Sequence, residues 1–198
     1  MIDPSPSAPP ISRLNRTLVL VGLMGAGKTS VGKRLASLLH APFADSDHEI
    51  EAAAQMTIPE IFRLYGEPAF RDLERRVLGR LVTEAPRVLA TGGGAFVEPK
   101  TREAIAGQAV SIWLRADVDT LWERVRDKPG RPLLQDANPH GVLSALMEKR
   151  YPIYGLADVT VDSRRGISHD AMARAIIEAV RAHDRAHPDR PPSLEPSP

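Results

Sequence analysis

The 198-residue chain contains no cysteine, which excludes disulfides, thiolate nucleophiles and cysteine-ligated zinc. Its six histidines are scattered without ligand-like spacing and read as structural or solvated. An excess of one charge is missing too: the formal net charge is +1 and no long basic run occurs, so nothing marks nucleic acid as the main partner. No uninterrupted apolar span reaches the roughly 20 residues of a transmembrane helix. The opening M-I-D-P-S-P-S-A-P-P has neither a positive cluster nor an apolar h-region. The expectation is a soluble cytoplasmic protein that engages neither nucleic acid nor a membrane. What remains is ordinary: 42% hydrophobic residues, enough in a chain of this length to enclose the core of a single domain.

Half of the 18 prolines lie in the first ten and last eleven residues, with several serines, so residues 1–15 and 184–198 read as disordered tails. Between them, over residues 16–183, strand and helix signals alternate. Strands are predicted at 17–21, 42–45, 87–91, 109–114 and 159–161. Helices are predicted at 28–39, from His48 to Gln55, on to about Thr83, at 118–126, from Asn138 to Tyr154 and from Ser168 to about Ala182. Thr57-Ile58-Pro59-Glu60 has the form of a capping box with proline in the first turn. Such alternation predicts an α/β fold, a parallel sheet with helices on both faces, whose ligands bind beyond the carboxyl ends of the strands.

Three polar signals fall at those ends. G-L-M-G-A-G-K-T, Gly22 to Thr29, fits the phosphate-binding pattern G-x-x-x-x-G-K-[ST] at every constrained position. Glycines let backbone N–H groups turn inward around a polyphosphate, Lys28 supplies a cation for its β/γ end, and the Thr29 hydroxyl can ligate Mg²⁺. A nucleotide is therefore expected on Gly25, Ala26, Gly27, Lys28, Thr29 and Ser30, at the N-terminus of the following helix. The second signal is D-S-D at Asp45 to Asp47. Asp47 stands just past a strand end, where it could accept the proton of an attacking hydroxyl, and Asp45 could hold Mg²⁺ through its water shell. Either could instead cap the helix that follows. The third is the triplet Gly92-Gly93-Gly94, where a backbone can approach a ligand closely.

Together with F-R-D-L-E at Phe70 to Glu74, R-P-L-L at Arg131 to Leu134 and M-E-K-R-Y-P-I-Y at Met147 to Tyr154, these motifs make the chain resemble the shikimate kinase family. The resemblance implies a three-layer P-loop kinase fold with a five-stranded parallel sheet and a mobile lid over about 127–139. It also implies transfer of the γ-phosphate of ATP to the 3-hydroxyl of shikimate, with Mg²⁺, in chorismate and aromatic amino acid biosynthesis. Asp47, Arg71, Gly93 and Arg150 match the family's substrate positions, the two arginines gripping the carboxylate. Arg71 taken alone would read as a surface arginine paired with Glu67 or Glu74. Arg131, on the lid, would join Asp47 and Lys28 in catalysis by stabilising transferring charge. Arg124, Arg126 or Arg165 would lie near adenine; a monomer is expected.

The strand ending in T-G-G-G lacks the Walker-B aspartate of many nucleotide-hydrolysing P-loop proteins, a feature the family shares, so direct ligation of Mg²⁺ is expected from Thr29 alone. A nucleotide switch is disfavoured, because no N-K-x-D tetrapeptide occurs and D-K-P-G at Asp127 to Gly130 follows a helix where a switch motif follows a strand. Gluconate kinases and nucleoside monophosphate kinases share the scaffold. The pair Arg71 and Arg150 separates them, since gluconate carries its carboxylate on a flexible chain and a nucleotide needs a base pocket.

Overall fold

A computed structural model describes residues 12–126 and 138–196. In chain order its elements begin with β1 (Ser12–Leu14), β2 (Thr17–Val21), α1 (Lys28–Leu39), β3 (Phe43–Asp45), α2 (Ser46–Ala54) and α3 (Ile58–Thr83). They continue with β4 (Val88–Ala90), a 3₁₀ turn (Ala95–Val97), α4 (Pro99–Ile105), β5 (Ala109–Arg115), α5 (Val118–Val125), α6 (Pro139–Tyr154), β6 (Val159–Asp162), α7 (His169–Ala186) and β7 (Leu194–Pro196). The run T-L-V-L-V has no polar alternation, as a strand covered on both faces should not, and all of β2 is buried. It takes the centre of a five-stranded parallel sheet in the order β3-β4-β2-β5-β6.

That order fixes the layers. From β2 the chain moves to β3 at one edge; every later step, to β4, β5 and β6, runs the other way. Right-handed crossovers therefore put α1 on one face and the helices between β3 and β6 on the other. α7 returns to pack beside α1, and α3 packs against α2 and α4. The helix after β2 thus leaves to the opposite face from those after its neighbours β4 and β5, and a crevice opens beyond the carboxyl end of β2. The capping box forms as read: Thr57 Oγ1 accepts from Glu60 N at 3.4 Å, and the Glu60 carboxylate accepts from Thr57 N at 2.8 Å. α3 is two helical segments that meet at Gly66, whose φ of +76° no helix permits, with Pro68 just beyond.

The chain's ends differ from the sequence reading. Residues 12–14 and 184–196, assigned to Pro-rich tails, are structured: α7 runs on to Ala186, and β1 pairs antiparallel with β7. Asp184 organises the return. Its carboxylate accepts from Ser193 N and Ser193 Oγ, both at 2.9 Å, and from Leu194 N at 3.2 Å. Arg181 donates to the buried Ser12 hydroxyl at 2.6 Å and ties the other strand to the same helix. The 3₁₀ turn and α4 are also new. α4 has only seven residues and buries just Thr101 and Ile105, too little periodicity to read from sequence. The stretch expected as a lid falls largely outside the described residues, which resume at Asn138, whose side chain caps α6 through Gly141 N at 3.0 Å.

Candidate functional site

Beyond β2 the chain turns through backbone conformations that favour glycine, with φ of +82° at Gly25 and +95° at Gly27. Gly25 is doubly constrained, since a Cβ there would lie 2.8 Å from Val125 Cγ1. Gly27 precedes α1 with no side-chain cap, so the helix's first N–H groups face the loop, as anion binding requires. Lys28 Nζ folds back over the loop and donates to the carbonyls of Gly22 at 2.8 Å and Leu23 at 3.0 Å. A cleft of about 820 Å³ follows, lined by Gly25 to Ser30, Asp45, Asp47, Thr91 to Gly93 and Arg124.

The two aspartates separate in role. Asp45 is the N-cap of α2: its Oδ1 accepts from Asp47 N at 3.2 Å. Its Oδ2 accepts from the Thr29 hydroxyl at 2.8 Å across the cleft. A hydroxyl and a carboxylate brought together beside a phosphate loop are the hard oxygen donors that suit Mg²⁺. Asp47, already inside the first helical turn, is not the cap and is left facing the cleft. Burial raises its pKa above the usual aspartate value, Asp45 and Glu51 add to the rise, and Lys28 and Arg71 oppose it.

Gly92 to Gly94 lie against this carboxylate and against Arg71. A Cβ at Gly92 would come within 2.6 Å of Asp47 Oδ1, and one at Gly94 within 2.9 Å of both terminal nitrogens of Arg71. At Gly93 a Cβ would meet nothing nearer than 3.7 Å. The protein's own packing therefore accounts for the glycines at 92 and 94, while at 93 a methyl group would find only ordinary van der Waals contact with Arg150 and the backbone of Gly22 and Met24. Arg71 and Arg150 share a second cavity of about 540 Å³ with Glu67, Gly94, Glu98 and Lys149. For Arg71 the pairing read from helical spacing is present, and with both glutamates. Its Nε and one terminal nitrogen donate to Glu67 Oε1 at 3.2 and 3.1 Å, while the other donates to Glu74 at 2.7 Å. It nonetheless lines the cavity with Arg150.

Two residues of this region, Ser46 and Tyr154, carry no signal of their own in the sequence, and a third, Glu74, reads there only as an alternative partner for Arg71. Glu74, 1% exposed, braces Arg71 from beneath. Burial raises its pKa, and the bond from Arg71 works the other way. Ser46, fully buried, accepts from Gly92 N at 3.1 Å and ties the start of α2 to the glycine triplet. Tyr154 donates to the carbonyl of Gly93. The motifs contain all three; Ser46 and Tyr154 acquire their tasks only through tertiary contact, and Glu74 through its pairing with Arg71 one turn away on the same helix.

Of the three arginines considered for adenine, Arg124 lines the cleft. It is fixed there by donation to Gly25 O at 3.2 Å, Ser163 Oγ at 2.9 Å and Arg164 O at 2.8 Å. Arg165 is turned away, paired with Glu123 on a separate cavity that Arg126 also lines. The difference is one of local geometry: the β6–α7 turn presents Arg165 outward, at 78% side-chain exposure, where Glu123 of α5 holds it. Arg131 lies outside the described residues.

The profile of the shikimate kinase family matches residues 24–181. A shikimate kinase of Bradyrhizobium diazoefficiens is 52% identical over 183 residues, covering 92% of this chain and 88% of its own length. One of Rhizobium leguminosarum bv. trifolii is 55% identical over 170 residues, covering 84% of this chain and 87% of that protein. Among solved structures, a shikimate kinase from Acinetobacter baumannii in complex with shikimate superposes with a TM-score of 0.79 at 39% identity, over 85% of this chain and 94% of that one. A gluconokinase from Sinorhizobium meliloti reaches a TM-score of 0.56 at 19% identity, over 90% of this chain and 99% of that one, a likeness of fold alone.

Proposed function

The chain belongs to the shikimate kinase family, and on that basis we propose that it transfers the γ-phosphoryl group of ATP to the 3-hydroxyl of shikimate, giving shikimate 3-phosphate and ADP in the cytoplasm. One observation carries the reading. Asp47 shares the phosphate-loop cleft with Lys28, and its carboxylate borders Gly92 at one end of the glycine triplet whose other end, Gly94, borders Arg71 in the second cavity. A carboxylate between a phosphate cradle and a carboxylate grip is where the hydroxyl of a small acid would meet a γ-phosphate.

The residues divide the work accordingly. The N–H groups from Gly25 to Ser30 and the Lys28 ammonium take the polyphosphate. Thr29 and Asp45 would hold Mg²⁺, which supplies charge neutralisation on the phosphate oxygens. Shikimate's carboxylate would displace Glu67 from the Nε edge of Arg71, leaving Glu74 on the remaining nitrogen, and take a second contact from Arg150. Position 93, which carries no side chain and is not crowded by its neighbours, admits the ring against the backbone. Asp47 orients the 3-hydroxyl and accepts its proton late in transfer; the raised pKa that burial gives it makes it a better acceptor.

Asp47→Asn and Arg71→Ala, titrated calorimetrically with shikimate and with an ATP analogue, test this division. Asp47→Asn should still bind shikimate while kcat falls by about 10²- to 10⁴-fold. Arg71→Ala should weaken shikimate about tenfold or more, by loss of charge-assisted hydrogen bonds, and leave the nucleotide nearly untouched. An Asp47→Asn variant with near-normal kcat would remove Asp47 from the chemistry.

A further inference from the structure

Positions 92 to 94 raise a question of mechanics. Asp47 and Arg71 crowd the first and last of the triplet, but a Cβ at Gly93 would meet only ordinary contacts at 3.7 Å and beyond, so crowding does not hold the residue expected to touch substrate. Hydrogen bonds to its carbonyl do. The phenol of Tyr154 and Nη1 of Arg150, the latter at 3.1 Å, donate to the same oxygen and occupy both of its lone pairs. The two donors stand four residues apart on α6, hence on one face, so a single helix delivers both.

We propose that Tyr154 is a positioning residue for the acceptor site, which fixes the Gly93 carbonyl and through it the guanidinium of Arg150, so that backbone and arginine meet the substrate in one preset arrangement. The inference rests on the proposed function, in which Gly93 and Arg150 face shikimate. Tyr154 is suited to the task. It is fully buried, and its ring is walled by Trp113, with centroids 6.1 Å apart, and by Tyr151 at 6.3 Å. Burial pushes the phenol pKa up to about 12, so it remains a donor at every working pH. Arg150 is engaged by the carbonyl and by the Tyr154 hydroxyl on one side, and its fork of five N–H donors has capacity beyond these for a carboxylate.

Tyr151 supplies the control. It belongs to the same aromatic cluster and the same helix, and its hydroxyl also donates to a buried-side carbonyl, that of Ala116, which lines no part of the glycine triplet. Tyr154→Phe, Tyr151→Phe, Arg150→Lys and the double variant Tyr154→Phe/Arg150→Lys would be compared in thermal melts, steady-state kinetics and calorimetric titration with shikimate and ATP. Tyr154→Phe should raise the Kd and KM for shikimate about three- to tenfold, the range of one hydrogen bond net of water, with the KM for ATP unchanged. Tyr151→Phe should lower the melting temperature comparably without moving either shikimate constant. The double variant should lose less than the product of its two singles, since both side chains act on one oxygen. A Tyr154→Phe protein with wild-type shikimate affinity, or a Tyr151→Phe protein that loses as much, overturns the inference and leaves the proposed function standing. A wild-type protein that does not bind shikimate overturns the function first, and the inference with it.

Discussion

Alanine substituted in turn at Gly92, Gly93 and Gly94 should give three different defects from three adjacent residues. None of them sits at a positive φ, so the backbone accepts alanine at each and only the new methyl group matters. At Gly92 the methyl would stand 2.6 Å from Asp47 Oδ1, against the 3.4 Å at which ordinary contact begins, so the carboxylate must retreat by about 0.8 Å. A shift near 1 Å in a reacting group costs about 10²-fold in rate, so kcat should fall about a hundredfold with shikimate still bound. At Gly94 the methyl would press on both terminal nitrogens of Arg71 at 2.9 Å. The far end of an arginine yields easily, so stability should hold while shikimate affinity drops about tenfold with the loosened grip. At Gly93 the nearest atom is 3.7 Å away, so the free protein takes the methyl without strain and the loss falls on shikimate binding alone. Thermal melts, kcat and shikimate Kd for the three variants separate these outcomes. Full kcat in Gly92→Ala, or a destabilised Gly93→Ala, would refute the reasoning.

Two further outcomes follow from charge. Because Asp47 has a folded pKa above its ordinary value, its ionised form costs stability; that cost is absent below the unfolded pKa and complete above the folded one. Asp47→Asn should therefore be at least as stable as the parent at neutral pH, with the difference vanishing on acidification, and an Asn variant less stable at neutral pH would show that the charge has a structural partner. Asp184→Ala removes an acceptor of three hydrogen bonds at the β1–β7 sheet and should cost about 2 kcal/mol in chemical denaturation, with kcat unaffected. An unchanged midpoint would mean that the terminal sheet adds nothing to the fold.

The parts of this molecule that were legible in the sequence are those whose constraints are local. The phosphate loop is contiguous, its glycines are fixed by their own φ values, and Thr17–Val21 and Lys28–Leu39 flank it with opposite periodicities. The same holds for Thr57–Glu60, where cap and partner are three residues apart. What the sequence could not show depends on distant partners. Ser193 and Leu194 sit in a Pro-rich stretch whose composition reads as a tail, and only Asp184 on the preceding helix gives their polar groups a buried home. Arg124 and Arg165 are equivalent by spacing; Ser163 and the backbone of Gly25 hold the first over the cleft, while Glu123 draws the second away. Tyr154 and Ser46 stood within recognised motifs, but their bonds to the glycine triplet come from residues 61 and 46 positions away along the chain.

The most direct test of the whole account is an ATP-consumption assay of the purified protein against shikimate, gluconate and the nucleoside monophosphates in parallel. Asp47 in the phosphate-loop cleft, with the arginine pair Arg71 and Arg150 in the second cavity, predicts turnover with shikimate and none above background with the others. Turnover of gluconate or of a nucleotide, with shikimate inert, would contradict it.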